Sequence, residues 1–385
     1  MTEADSIPSL PWWRNDAMIF AALVALAVVA FTTTYFISKA YARREDSLAR
    51  EWYRRGESDL ASSQPKSAIA DFRTALRYSR DNPQYRLRLA EALAADNDTQ
   101  QAVAYFQNLW EAQPGSGQLN LELARLYARD RQPHMAERFY HGAIFGLWPD
   151  DPGVRRREVR NEYIRFLLQQ NQVAPAQAEA FALAAAVPPS DITGHLQAAD
   201  LLLTTGDSQH ALAEYTAILK AAPAEASLGA GKAAFQLGWF RTAAEHLRSA
   251  IQHGSTDPAA KTMLDLAESV LNADPAQRHL SMEDRLRRVS TAYVQAGARL
   301  QQCAMQKQQQ LETTAPITDL QQLYAEWATT GPELPRLKRD PDRRDAVMDL
   351  IFRIENTTAR ECGPPTGGPD WALLTLSRYG EGVEQ

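Results

Sequence analysis

Apolar and polar positions follow three different patterns along the chain. From Ala17 to Ser38 there is no charged side chain over 22 residues. From Glu51 to about Pro149 the apolar positions recur every 34 residues. Gly56, Ala90 and Ala124 share one register, and so do Ala68, Ala102 and Ala136. Phe72, Phe106 and Tyr140 share a third, and Leu89 and Leu123 a fourth. From Leu280 that period is lost. Met282, Leu286, Val289, Tyr293, Ala296, Leu300 and Cys303 instead alternate steps of four and three, an apolar seam along one helix.

The first pattern predicts a helix long enough to cross a bilayer core of roughly 30 Å. Trp12 and Trp13 precede it, and Tyr35 and Tyr41 sit at its far end, where interfacial aromatics belong. A cleaved signal peptide fits poorly, because one basic residue, Arg14, stands beside Glu3, Asp5 and Asp16, and no small-residue cleavage site follows. A buried soluble helix is the remaining alternative. The expected organisation is a polar tail (1–16), a single-pass span (17–38) in a cell (inner) membrane, and a helical connector (39–48). No Pro or Gly occurs from Ala17 to Arg55, so the span can run unbroken into the first repeat. Lys39, Arg43 and Arg44, with Arg50, Arg54 and Arg55, lean towards a cytoplasmic large domain by the positive-inside rule. A periplasmic placement stays open as the alternative.

The 34-residue period, with small, small, aromatic and proline positions in this order, resembles the tetratricopeptide repeat (TPR). In the first unit (about 49–82) Trp52, Gly56, Ala68, Phe72 and Ala75 fill the family's positions, with Asp59 where a tyrosine is usual. The second (83–116) has Leu89, Ala90, Ala102, Phe106 and Pro114, and the third (117–150) has Leu123, Ala124, Tyr127, Ala136 and Tyr140. DDPGVRRREVR then inserts about six residues before a degenerate fourth unit (157–190). Leu202, Gly206, Ala211, Tyr215 and Pro223 mark the fifth, and Gly231, Gly238, Ala243 and Leu247 the sixth. A helix from about Pro258 to Asn272 caps the array, which occupies 49–279. The fold class is all-α: a membrane helix, an α-solenoid of about six helix pairs, and a small helical module over 280–385.

One repeat cannot bury its own apolar face, so stability comes from stacking neighbours. The aligned residues are therefore core. The resemblance implies that the first helix of each repeat lines a concave groove for a protein or peptide partner. The groove candidates are Tyr53, Glu57, Leu87, Glu91, Leu121, Arg125 and Ala128. The family's carboxylate-binding cluster of Lys, Arg and Asn is missing, since those places hold Tyr53, Glu57, Arg88 and Glu122.

In the last region Thr318 and Asp319 open a short helix to Ala328, and TGPELP (330–335) reads as a turn. Asp340 and Pro341 start a helix carrying Val347, Leu350, Ile351 and Ile354. CGPPTGGPD (362–370) reads as an irregular loop before a short helix from Trp371 to Tyr379. The two cysteines, Cys303 and Cys362, are either a disulfide joining two helices or two unpaired thiols.

Composition changes little. The net charge of −6, from 41 basic and 47 acidic residues, argues against a nucleic-acid partner. There is no H-E-x-x-H, G-x-S-x-G or C-x-x-C motif, and LGAGKAA (228–234) lacks the first glycine and the hydroxyl residue of a phosphate loop. His134 with His141, and His246 with His253, lack a third ligand. No catalytic residue, cofactor or metal is expected. The leading reading is a non-catalytic membrane-anchored scaffold. The alternatives are a structural subunit of an envelope assembly (secretion, pilus or outer-membrane biogenesis) and, third, an enzyme with a site in 281–385. The partner's identity and the oligomeric state are not encoded in any motif.

Overall fold

In a computed structural model, residues 12–379 are described, except for the side chains of 12–17 and 332–335. The expected polar tail thus lies largely outside the described residues. Among these residues the chain forms helices and turns, with one isolated β-bridge between Ser116 and Leu147. It divides into two compact units, residues 1–159 and 160–385.

The first unit opens with α1 (Trp12–Ala61), a single helix of 50 residues. It contains a stretch long and apolar enough to cross a membrane, none of it buried in the protein. α1 continues as the first helix of the first pair, closed by α2 (Pro65–Tyr78). Two further pairs follow, α3 (Pro83–Ala95) with α4 (Thr99–Ala112), and α5 (Gly117–Arg129) with α6 (Pro133–Ile144). The core is the set of residues sharing the 34-residue register. Ala68, Ala102 and Ala136, like Ala90 and Ala124, are fully buried, as are Phe72 and Phe106. Gly56 is small for a direct reason: a Cβ there would lie 2.7 Å from the Phe72 ring.

The turn inside each pair has a second regularity. Ser63, Asn97, Arg131 and Asn171, and then Gly206 and Gly238, all sit in the turn between the two helices of their pair with positive φ, between 57° and 88°. A left-handed residue lets the chain reverse within three residues and start the second helix. Glycine adopts it freely, whereas Ser63 and Arg131 do so at a cost. Asp98 then caps α4 by accepting from Gln101 N.

α7 (Pro152–Gln169) carries the insertion. The inserted residues form its first turns, so the fourth pair begins at Pro152 and not near 157. Proline is favoured in a helix's first turn, which explains the earlier start. The second unit continues with α8 (Val173–Ala185), α9 (Ile192–Thr204), α10 (Ser208–Ala217), α11 (Pro223–Gln236), α12 (Phe240–Gln252) and α13 (Pro258–Ala273).

The remaining elements are α14 (Met282–Gln306), α15 (Asp319–Thr330), α16 (Pro341–Cys362) and α17 (Gly368–Tyr379). Thr318 and Gln321 form a capping box on α15, and Asp340 caps α16. Two local expectations need correction. Residues 331–338 form a 3-10 helix and not a simple turn. The irregular loop shrinks to 363–367, because Gly368 and Pro369 already belong to α17.

The loss of period at Leu280 is not a break in packing. Phe240, Ala244, Ala267 and Val270 share one apolar cluster with Val289, Leu300, Val347, Ile351 and Leu373. Trp371 stacks on Phe235 at 6.1 Å, and Tyr379 sets its ring edge-on to Phe240 at 5.7 Å. The Tyr379 ring takes the space where a side chain at Gly238 would be.

Candidate functional site

The groove candidates fall on the first helices of the three pairs in the first unit. On α1, Tyr53 is half-buried, stacked on Tyr85 at 4.7 Å and tilted against Phe72 at 5.7 Å. One turn on, Glu57 faces Arg88 of α3. The Arg88 Nε lies 2.9 Å from Glu57 Oε1, and its Nη1 donates to Glu91 Oε2 at 2.7 Å. The hydrogen bond to Glu91 holds the Arg88 proton most strongly and raises its pKa further, with Tyr53 and Glu57 adding to it.

Three of the candidates, Tyr53, Glu57 and Glu91, are thus brought together by two residues outside the list, Tyr85 and Arg88. In the repeat pattern Arg88 occupies one place of the missing carboxylate-binding cluster. Its spacing of three from Glu91 on one helix was the available signal. On α5, Arg125 donates to Glu122 at 2.8 Å. Leu87, Leu121 and Ala128 are half-buried. The face therefore carries its charges in internal pairs, with leucine, alanine and tyrosine surface between them. Such a surface accepts an apolar side chain and has little to offer a lone carboxylate.

A second exposed feature lies just before the DDPGVRRREVR insertion, and no sequence pattern marks it. Phe145 and Leu147 are 74% and 76% exposed, the most open large apolar side chains of the first unit outside α1. Their turn is built rather than loose. Leu147 N donates to Gly115 O at 2.8 Å, Gly117 N donates to Leu147 O at 2.9 Å, and Trp148 Nε1 donates to Ala143 O at 3.0 Å.

In the second unit Cys303 and Cys362 are joined as a disulfide, with Cα atoms 5.7 Å apart. It ties the end of α16 to α14. Nearby, Glu355 is completely buried and neither carboxylate oxygen has a hydrogen-bond partner. Burial pushes its pKa up to about 8, Asp370 adds to the rise, and Arg299 opposes it. Arg299 spends one amino group on the Gly363 carbonyl at 2.6 Å.

A cleft of about 480 Å³ opens between α13, α14 and the start of α17, lined by Asn272, Arg287, Arg288, Gln295 and Pro369. Arg288 is committed to the carbonyls of Leu271 and Asp274, both at 2.7 Å, and Arg287 pairs with Asp284. No nucleophile with an adjacent base lines it. Among the described residues no group of three His, Cys, Asp or Glu is placed to hold a metal ion.

Residues 53–117 and 196–260 match the tetratricopeptide-repeat family. No curated protein matches the sequence. Among solved structures, the chain resembles YrrB, described as a TPR protein with an unusual peptide-binding site. The identity is 17%, over 50% of this chain and 96% of that one, with a TM-score of 0.38. PilF of Pseudomonas aeruginosa is 14% identical over 57% of this chain and 97% of its own, with a TM-score of 0.37. PilW, described as a type IV pilus biogenesis factor, is 17% identical over 56% and 98%, also at 0.37. The two matched segments, with the repeated small and aromatic core positions and the helix pairs they build, show tetratricopeptide repeats in this chain.

Proposed function

We propose that the chain is a membrane-anchored, non-catalytic scaffold. Its α1, α3 and α5 face binds a protein or peptide partner through apolar side chains. The observation that carries this reading is the internal pairing of the charges on that face. Arg88 is held between Glu57 and Glu91, and Arg125 by Glu122, while Leu87, Leu121 and Ala128 keep open surface. A partner segment gains free energy there by burying its own apolar residues, at about 25 cal/mol per Å².

Residues 17–38 supply the anchor in this reading. For the side of the membrane, the bond between Cys303 and Cys362 favours an oxidising compartment, because disulfides persist where thiols are not continually reduced. The charge rule favours the other side through Lys39, Arg43 and Arg44, and we give the bond more weight. A carboxy-terminal reporter active on one side of the membrane only decides this point.

The binding test uses solubilised membranes and affinity purification. Leu87→Asp with Leu121→Asp places two charges on half-buried surface positions. A partner retained in fixed stoichiometry by the natural protein and lost by the variant, with an unchanged circular dichroism spectrum, supports the proposal. Full retention of every partner by a folded variant refutes it.

A further inference from the structure

Lys39, Arg43 and Arg44 follow directly on the uncharged run of α1, and all three are exposed. At 1.5 Å per residue along an unbroken helix they lie roughly 1.5, 7.5 and 9 Å beyond Ser38. The headgroup layer on each side of a bilayer is roughly 5–8 Å thick. The three cations are therefore spaced across the headgroup layer and its outer edge, and no turn in α1 lifts them away from it.

Their protein surroundings leave them to an outside anion. The Lys39 ammonium sits 5.6 Å over the Tyr35 ring and has no carboxylate partner among the described residues. Among the described residues neither arginine is in an ion pair. Of the two nearby carboxylates, Asp46 is held by Arg50 one turn further on. By helical spacing Glu45 lies roughly 160° round the helix from Arg43, roughly 120° from Lys39 and roughly 100° from Arg44, so it shares a face with none of them. Arg50 and Arg54 continue the Lys39–Arg43 face, but they stand roughly 18 Å or more past Ser38, beyond the headgroups.

We propose that Lys39, Arg43 and Arg44 form a binding site for the phosphate headgroups of anionic phospholipids. The site sets the depth of α1 and, because the helix is continuous to Ala61, the height of the first repeat above the bilayer. The proposal rests on the reading of 17–38 as a membrane span. Binding of this kind works on either leaflet that carries anionic lipid. The basic cluster then no longer argues against the compartment favoured by the disulfide.

The test reconstitutes the full chain into nanodiscs of equal parts phosphatidylcholine and phosphatidylglycerol. The discs are dissolved in mild detergent, and the lipids that stay bound are counted by native mass spectrometry. The natural sequence is expected to retain phosphatidylglycerol over phosphatidylcholine by on the order of a hundredfold, from three charges acting at the surface at about 1 kcal/mol each. Lys39→Gln with Arg43→Gln and Arg44→Gln brings the ratio near parity. A control pair on exposed helix surface, Arg77→Gln with Arg165→Gln, leaves it unchanged. Parity in the natural sequence overturns the proposal, and so does an unchanged preference in the triple variant. A chain that fails to enter the discs overturns the span reading itself, an outcome distinct from insertion without lipid preference.

Discussion

The first three helix pairs and the segment from Leu280 onwards are both all-helical, but they are held together by different means. In the pairs, the same small contacts recur: Gly56 against Phe72, and alanine at 68, 102 and 136. Each pair depends mainly on its neighbours, so local damage stays local. The last segment has no such redundancy. Its α14 and α16 are joined by a disulfide across 59 residues of sequence, α17 reaches back to Phe235 and Gly238, and an unpartnered acid is buried inside. Periodic structure tolerates single faults, whereas a structure closed by long-range contacts concentrates its stability in a few bonds.

Breaking the disulfide gives the largest expected effect. Chain-entropy arguments for a loop of this length put it at about 4 kcal/mol. Cys303→Ser with Cys362→Ser should lower the unfolding temperature of the second unit. The protection of α1 to α6 from hydrogen exchange should stay the same. A thiol assay on denatured, unreduced protein supplies the prior check, since two free thiols there would mean no bond to break.

Glu355 gives the next largest. Its pKa is raised to about 8 by burial, so the folded protein keeps a proton that the unfolded chain releases above its ordinary value of 4.5. The contribution is therefore unfavourable at high pH. Stability should fall as pH rises from about 4.5 to about 8 and level off above that, by on the order of a few kcal/mol. Glu355→Gln should remove this part of the slope and stabilise the second unit at pH 9 more than at pH 5. Denaturant titrations at the two values measure it, and equal shifts at both would contradict the buried-acid account.

In the repeats the expected effects are smaller. Ala102→Leu forces a larger side chain between α3 and α4 and should cost about 1–3 kcal/mol. Hydrogen exchange should place the damage in that pair and its neighbours, with the second unit unchanged. Smallest is the turn position. Arg131→Gly relieves a left-handed residue at φ 58° and should stabilise by about 1 kcal/mol. Loss of stability there would show that the Arg131 side chain contributes more than its backbone strain costs.

Legibility in the sequence follows the same division. The helix pairs could be read because a 34-residue period places identical residue types in identical contacts, and six copies average out individual departures such as Asp59. The caps at Asp340 and Thr318 could be read because a cap is decided within four residues. The start of α7 could not be placed, because the insertion breaks the register and a first-turn proline suits either a loop or a helix. At the candidate site, the positions on α1, α3 and α5 followed from the repeat. The bridging by Arg88 and the stacking of Tyr85 did not, because both depend on the lateral spacing of neighbouring helices.

The sequence by itself determined the all-α class, the repeat length, the core positions and the long apolar helix, since each follows from short-range periodicity and side-chain type. Only the tertiary structure decided which charges neutralise one another, that the two cysteines meet, that α17 closes over Phe235 and Gly238, and that Glu355 lies unpartnered inside. These are contacts between residues far apart in the chain. No local pattern encodes them, because they are set by how whole helices pack and not by the neighbours of any one residue.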